Sequence, residues 1–169
     1  MERSSQAEPM NQLSSTVSVG FKHYFQGFGR QVHELANRIT DKQFWTKPYP
    51  YGNSFGNLVL HLTGNLNYYI GARIEDTGYV RNRELEFTDI QIGRMPEVLG
   101  AMDEAIAMVT RSLERQSEED WVREYQAIGA DDVHDRFSMY LRCCLHFHHH
   151  LGQMIYLVKE LSRQSQERK

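Results

Sequence analysis

Apolar residues along most of the chain recur every three or four positions, which is the spacing of an amphipathic α-helix. The first such stretch covers about residues 16–39, and its apolar positions are Phe21, Phe25, Phe28, Val32, Leu35 and Ile39. Similar stretches predict helices over about 54–74, 96–116 and 133–163. Strict alternation of apolar and polar residues, which would indicate strands, is almost absent. The pattern therefore predicts an all-α protein built as a four-helix bundle.

Residues suited to helix ends lie near the expected starts of three of these helices. Asn53 or Ser54 is a suitable N-cap for helix two. Pro96 is tolerated in the first turn of helix three. Asp132, followed three residues later by Asp135, gives helix four an acidic start that suits the helix dipole.

A long charged connection, DTGYVRNRELEFTDIQIGR, separates helices two and three. It has roughly 20 residues, and a connection of that length inside a compact domain is unusual and often functional. Two shorter segments, TDKQFW after helix one and SEEDW after helix three, resemble each other. Each is expected to form a turn of helix whose tryptophan packs against one end of the bundle.

Length and composition narrow the class of protein. A chain of 169 residues fits one domain, and we expect a flexible N-terminal segment at 1–12 and a single domain at 13–169. The net charge of −3 argues against a nucleic-acid surface, and no apolar run of membrane length occurs. Cys143 and Cys144 are adjacent and cannot easily form a disulfide on a helix, which fits a reducing cytoplasm.

Four of the eight histidines lie within five residues, in the sequence HFHHH at 146–150. An α-helix turns by about 100° per residue, so the direction of each side chain follows from its position. On helix four, His150 falls in the apolar, inward-facing sector and His146 falls at its edge. His149 lies on the polar side of the helix, and His148 lies at the other margin of the apolar sector. His146 and His150 are therefore the two that we expect to face the interior.

Helix two offers a third histidine. His61 lies at the edge of an apolar stripe, and Asn65 follows one turn later on the same side. His146 and His150, four residues apart, can bind one ion together, with His61 as the best third ligand. Three neutral imidazoles suit a divalent transition metal such as zinc, nickel or iron and leave a coordination position open.

Less specific interpretations remain for each of these residues. A lone histidine is more often a surface or packing residue than a ligand. Cys143, one turn before His146, is more often a small buried hydrophobe than a ligand. Glu84 or Glu86 from the long connection is a candidate fourth ligand, which would close the site and give the metal a structural role.

Two segments carry a family resemblance: NSFGNLVLHLTGNLNYYIGARI (53–74) and HFHHHLGQMIYLVKEL (146–161). They resemble the second and fourth helices of the DinB/YfiT-like superfamily, and VRNRELEF (80–87) resembles a segment of one uncharacterised DinB-like branch. The resemblance implies a DinB/YfiT-like four-helix bundle with a long connection between helices two and three. It also implies a divalent metal bound by His61, His146 and His150, and it implies homodimers, which are frequent in the superfamily.

The activity implied by the resemblance is a metal-dependent transfer of a low-molecular-weight thiol to a small-molecule substrate. In such a site the metal lowers the pKa of the bound thiol. Gln153 and Asn65 are expected to orient the ligands or water, and Arg81 and Arg83 are candidates for binding an anionic substrate at the mouth of the site. Two alternatives remain open: a metal-dependent hydrolase, and a non-catalytic dimeric binding or stress-response bundle with a structural metal or none.

Overall fold

The computed structural model describes residues 12–88 and 90–167, so the segment expected to be flexible, 1–12, lies outside the described residues except for Gln12. Within those ranges the chain forms seven α-helices and one π-helical segment and no strand. The α-helices are α1 (Gln12–Ala36), α2 (Asp41–Phe44), α3 (Phe55–Leu66), α4 (Arg83–Glu86), α5 (Met95–Glu114), α6 (Glu118–Trp121) and α7 (Arg136–Glu167). The π-helical segment, Asn67–Ala72, continues α3 without a break. The all-α prediction is confirmed.

Four of the helices are long, and each packs mainly on two of the others. α1 packs on α5 and α7, and α3 packs on the same two helices. Their apolar faces meet in one core, whose fully buried side chains include Phe25 of α1, Leu62 of α3, Met102 of α5 and Phe147 of α7. This arrangement places α3 and α7, the two helices that carry the predicted ligands, directly against each other.

The start of the last helix differs from the prediction. α7 begins at Arg136 rather than near residue 133. The backbone just before it is already paired: Tyr125 N–H donates to His134 O, and Arg136 N–H donates to Arg123 O. The Asp135 carboxylate then accepts a hydrogen bond from Ser138 N at 2.8 Å, as an N-cap does. The predicted start near residue 133 is therefore wrong, because residues 134–136 pair with residues 123–125 before the helix begins.

The two short segments after α1 and α5 form helical turns, as predicted. Both α2 and α6 begin with a capping box, in which a Thr40 or Ser117 hydroxyl accepts from the backbone N–H three residues later. Trp121 of α6 is buried against the core. In the other segment Phe44 takes the fully buried position and Trp45 is only partly buried.

The long connection between α3 and α5 is fastened to α3. It contains the short helix α4, which packs on α3. The Asn57 side-chain amide, buried in α3, donates to the backbone oxygens of Glu86 at 3.1 Å and Thr88 at 3.0 Å. A segment that composition alone marked as a loop is thus held beside the helix that carries His61.

Across the described residues, none of the helices has both the length and the apolar character that crossing a membrane requires.

Candidate metal centre

Three histidines from two helices meet between α3 and α7. His61 of α3 and His146 and His150 of α7 each offer a ring nitrogen, and these nitrogens all lie within 4.8 Å of one another. His61 Nε2 is 2.9 Å from His146 Nε2, and the ring centroids of His61 and His150 are 4.9 Å apart. The structure therefore brings together the three residues that the sequence had selected.

The opposite nitrogen of His61 faces a buried carboxylate. His61 Nδ1 lies 2.8 Å from Glu86 Oε2, and both side chains are buried. Arg81 binds the same carboxylate through two hydrogen bonds, from Nε to Oε1 at 2.6 Å and from a terminal nitrogen to Oε2 at 2.7 Å. An Nδ1 occupied in this way leaves His61 Nε2 as the nitrogen that faces the cluster.

His150 is oriented in a similar way by a residue of its own helix. His150 Nδ1 lies 2.7 Å from Gln153 Oε1, which leaves Nε2 available to a metal. The Gln153 amide nitrogen also lies 3.2 Å from His149 Nε2. The predicted orienting role of Gln153 therefore has a contact that supports it. Asn65 instead is buried and lines the pocket beside the cluster.

The electrostatics of the cluster favour neutral imidazoles at His146 and His150. Burial, together with the neighbouring rings of His150 and His61, lowers the pKa of His146 to about 3. Burial also lowers the pKa of His150, against the opposing effect of the Gln153 hydrogen bond. A neutral imidazole is the form that binds a metal, so the ring nitrogens do not have to lose a proton near neutral pH. The donor set fits a divalent transition metal.

Glu86 is held in its charged form. Burial alone would raise its pKa, but the hydrogen bonds from His61 and Arg81 outweigh burial and the pKa is lowered. A carboxylate with these two partners lies on the far side of the His61 ring from the cluster. The suggestion that Glu86 closes the metal shell as a fourth ligand is therefore wrong, and Glu84 is exposed to solvent.

A pocket of about 750 Å³ opens beside the cluster. Its lining includes His61 and His146, several aromatic residues and three arginines, namely Arg81, Arg83 and Arg142. Arg81 was a candidate for binding an anionic substrate, but its guanidinium is engaged by Glu86. The guanidinium of Arg83 lies over the Phe87 ring at 5.1 Å, and that of Arg142 lies over the Tyr69 ring at 5.3 Å. Arg142 is also paired with the Asp132 carboxylate at 3.5 Å, so the positive charge at this pocket comes mainly from Arg83.

The neighbouring residues of the histidine run lie outside the cluster. His149 is exposed, and His148 is exposed with its ring stacked on Phe28. Cys143 is fully buried, and burial raises the pKa of its thiol to about 12, so it behaves as a buried hydrophobe.

Sequence reasoning missed the pairing of Glu86 with His61. Glu86 comes from the long connection, and apolar spacing does not show which helix face such a residue meets. The sequence pattern therefore gave no signal for the contact between Glu86 and His61.

Comparison with known proteins places the chain in a family without assigning it an activity. None of the curated proteins matches this chain. A family model described as "Protein of unknown function (DUF1572)" matches residues 15–168, which is nearly the whole chain and includes all three histidines. The chain therefore belongs to the DUF1572 family.

Proposed function

We propose that the protein is a metal-dependent enzyme that binds one divalent transition metal ion through His61, His146 and His150. The observation that carries the proposal is the cluster of three ring nitrogens within 4.8 Å at the wall of a pocket of about 750 Å³. The packing of α1 and α3 on the same two helices, α5 and α7, supports a DinB-like four-helix bundle as the scaffold.

The arrangement favours an open, catalytic site over a closed, structural one. Structural zinc sites have four protein ligands, whereas catalytic sites keep a position for water or substrate. Among the described residues, these three histidines are the only group of three or more histidine, cysteine or carboxylate side chains close enough to share one ion. Glu86, the nearest carboxylate, is bound to His61 Nδ1 and Arg81 instead.

The reaction that we propose is transfer of a low-molecular-weight thiol to a small electrophile. A metal ion here would supply Lewis acidity, which lowers the pKa of a bound thiol. The sulfur has to come from a substrate, because both cysteines of the chain are buried and burial raises both of their pKa values. The positive charge of Arg83 at this pocket favours a thiol or electrophile that carries a negative charge.

The experiment that tests the metal site is elemental analysis of protein purified without a histidine tag. We expect about one equivalent of a transition metal in the wild-type protein. His61→Ala and His150→Ala should lose it while circular dichroism shows the same helical content. A wild-type protein that takes up no transition metal even after reconstitution would contradict the proposal.

The reaction is tested on the metal-loaded protein. Consumption of glutathione, cysteine or bacillithiol in the presence of 1-chloro-2,4-dinitrobenzene should exceed the uncatalysed rate only in the metal-loaded protein, with chloride as the leaving group, and fall to the uncatalysed rate on chelation. Metal-dependent hydrolysis of p-nitrophenyl acetate without thiol transfer would instead identify a hydrolase, because the same ligands can activate water. Metal binding with neither activity, together with unfolding on chelation, would point to a structural ion. The homodimer and the cytoplasmic location stay predictions.

A further inference from the structure

We infer that Glu86 is a positioning residue that fixes the tautomer and orientation of His61 and so sets the affinity of the centre for its metal. Glu86 acts through His61 and does not itself bind the ion. The inference rests on the proposed function because it assumes a bound metal. The hydrogen bonds from which it is argued are formed by the protein without the metal.

The contact with His61 assigns the proton of the imidazole. Glu86 Oε2 is 2.8 Å from His61 Nδ1, and an ionised carboxylate can only accept a hydrogen bond. Nδ1 therefore carries hydrogen and donates it to Glu86. In the neutral ring this leaves Nε2 with a lone pair, and Nε2 is the atom 2.9 Å from His146.

An opposing contact exists, and it is weaker. A terminal nitrogen of Arg81 lies 3.2 Å from His61 Nδ1 and would donate to it if Nδ1 were unprotonated. The same Arg81 nitrogen already donates to Glu86 Oε2 at the shorter distance of 2.7 Å. If Nδ1 had no proton, its lone pair would face a buried carboxylate oxygen at 2.8 Å, which is repulsive. The shorter contacts therefore favour the Nδ1–H form.

Three further residues hold the carboxylate in place. Arg81 donates one hydrogen bond to each oxygen in a bidentate ion pair, which fixes the plane of the carboxylate. Asn57 anchors the backbone at Glu86 O and at Thr88 O, two residues later. Gly64 provides the space, because a Cβ at that position would lie 2.2 Å from Glu86 Oε1 and 3.0 Å from Glu86 Cδ.

Replacing Gly64 by alanine should affect the metal site and the stability of α3 in opposite directions. Alanine is a better helix former than glycine in a helix interior, so Gly64→Ala favours α3 through backbone propensity. At the same time the added methyl group cannot coexist with the present position of the Glu86 carboxylate. Gly100→Ala in α5 is the matched control, because a Cβ there meets nothing within 4 Å.

The first measurement is metal affinity by competition with a chromophoric chelator, with zinc as the probe. Loss of a residue that orients a metal-binding histidine typically lowers affinity by roughly 10- to 100-fold. We expect a loss of that size for Glu86→Ala and Gly64→Ala, a smaller loss for the isosteric Glu86→Gln, and wild-type affinity for Gly100→Ala. Wild-type affinity in folded Glu86→Ala and Gly64→Ala would overturn the inference.

The second measurement identifies which ring nitrogen of His61 carries the hydrogen in the metal-free protein. It uses ¹⁵N NMR of histidine side chains, with His61→Gln to assign the signals. We expect Nδ1–H in the wild type and a shift toward Nε2–H in Glu86→Ala. An Nε2–H ring in the wild type would overturn the inference. If the wild-type protein bound no zinc, the proposed function would fail, and this measurement would still decide whether Glu86 controls His61.

Discussion

His146 and His150 lie one helical turn apart on α7, with ring centroids separated by 4.5 Å and ring planes at 90°. Side chains four residues apart on a helix lie on one face. A single helix therefore supplies two of the three ring nitrogens and fixes their positions relative to each other. Only His61 has to be brought from another helix. The precision of the centre therefore depends mainly on how α3 and its attachments hold His61.

The adjacent histidines should not contribute to metal binding. His149→Ala removes an exposed ring that contacts Gln153 and the His150 ring but is not one of the three clustered ligands. We expect this variant to keep the wild-type metal stoichiometry, whereas His150→Ala loses the ion. Elemental analysis after removal of loosely bound metal by gel filtration checks both. Loss of metal in His149→Ala would show that the ion is bound by a different part of the histidine run.

The metal-free protein should lose stability in mild acid because of His146. Its pKa is about 3 in the folded protein and near 6.5 in an unfolded chain, so between these values the unfolded state binds more protons. The free energy of unfolding should therefore fall as the pH is lowered from 6.5 toward 3. The full pKa difference corresponds to roughly 5 kcal/mol, and solvent screening of this part-exposed ring reduces the expected loss to about 3 kcal/mol. Urea denaturation at a series of pH values measures it.

The variant His146→Asn isolates this contribution. Asparagine does not titrate, so the variant should show a shallower loss of stability between pH 6.5 and pH 3. Because His146 interacts with His61 and His150, the difference between the two curves reports on residue 146 together with its coupling to these two rings. Identical curves would mean that His146 is protonated as readily in the folded protein as in the unfolded chain.

The two cysteines should resist modification in the native protein. Burial raises the pKa of Cys143 to about 12 and also raises that of Cys144, so the thiolate form is scarce near pH 8. We expect 5,5′-dithiobis(2-nitrobenzoic acid) to react with two thiols in urea and very slowly without it. Rapid reaction of a thiol in the native protein would contradict the burial of these residues.

One buried serine should matter for stability and not for metal binding. The Ser14 hydroxyl accepts a hydrogen bond from Trp121 Nε1 at 2.9 Å and donates to the Gln116 carbonyl oxygen at 2.7 Å. Ser14→Ala leaves both groups buried without this partner, which should cost about 1–3 kcal/mol of unfolding free energy. The exposed Ser15→Ala is its matched control, and thermal melting compares them. Equal melting temperatures for the two variants would be inconsistent with this bridge.

The helices and the inward direction of the histidines could be predicted because both follow from periodicity. Apolar spacing placed His146 and His150 toward the interior and His149 toward solvent, and the structure agrees. His61 was identified in the same way, from its place at the edge of the apolar stripe of α3. These features are local, since a helix fixes the relative directions of its own side chains.

The partner of His61 could not be predicted, because it comes from an irregular segment 25 residues away in sequence. The sequence marked Glu86 as a candidate metal ligand on residue type alone. Only the fold shows that Arg81 and Gly64 turn its carboxylate to the other side of the ring. Likewise, the start of α7 was displaced by backbone pairing with residues 123–125, which apolar spacing does not reveal.

The packing order of the long helices has a consequence for synthesis of the chain. α1 rests mainly on α5 and α7 and not on α3, which follows it in sequence. A nascent chain that ends before residue 95 thus contains α1 without the two helices on which its phenylalanines pack in the folded protein. Association of α1 with the core has to wait until the second half of the chain has left the ribosome.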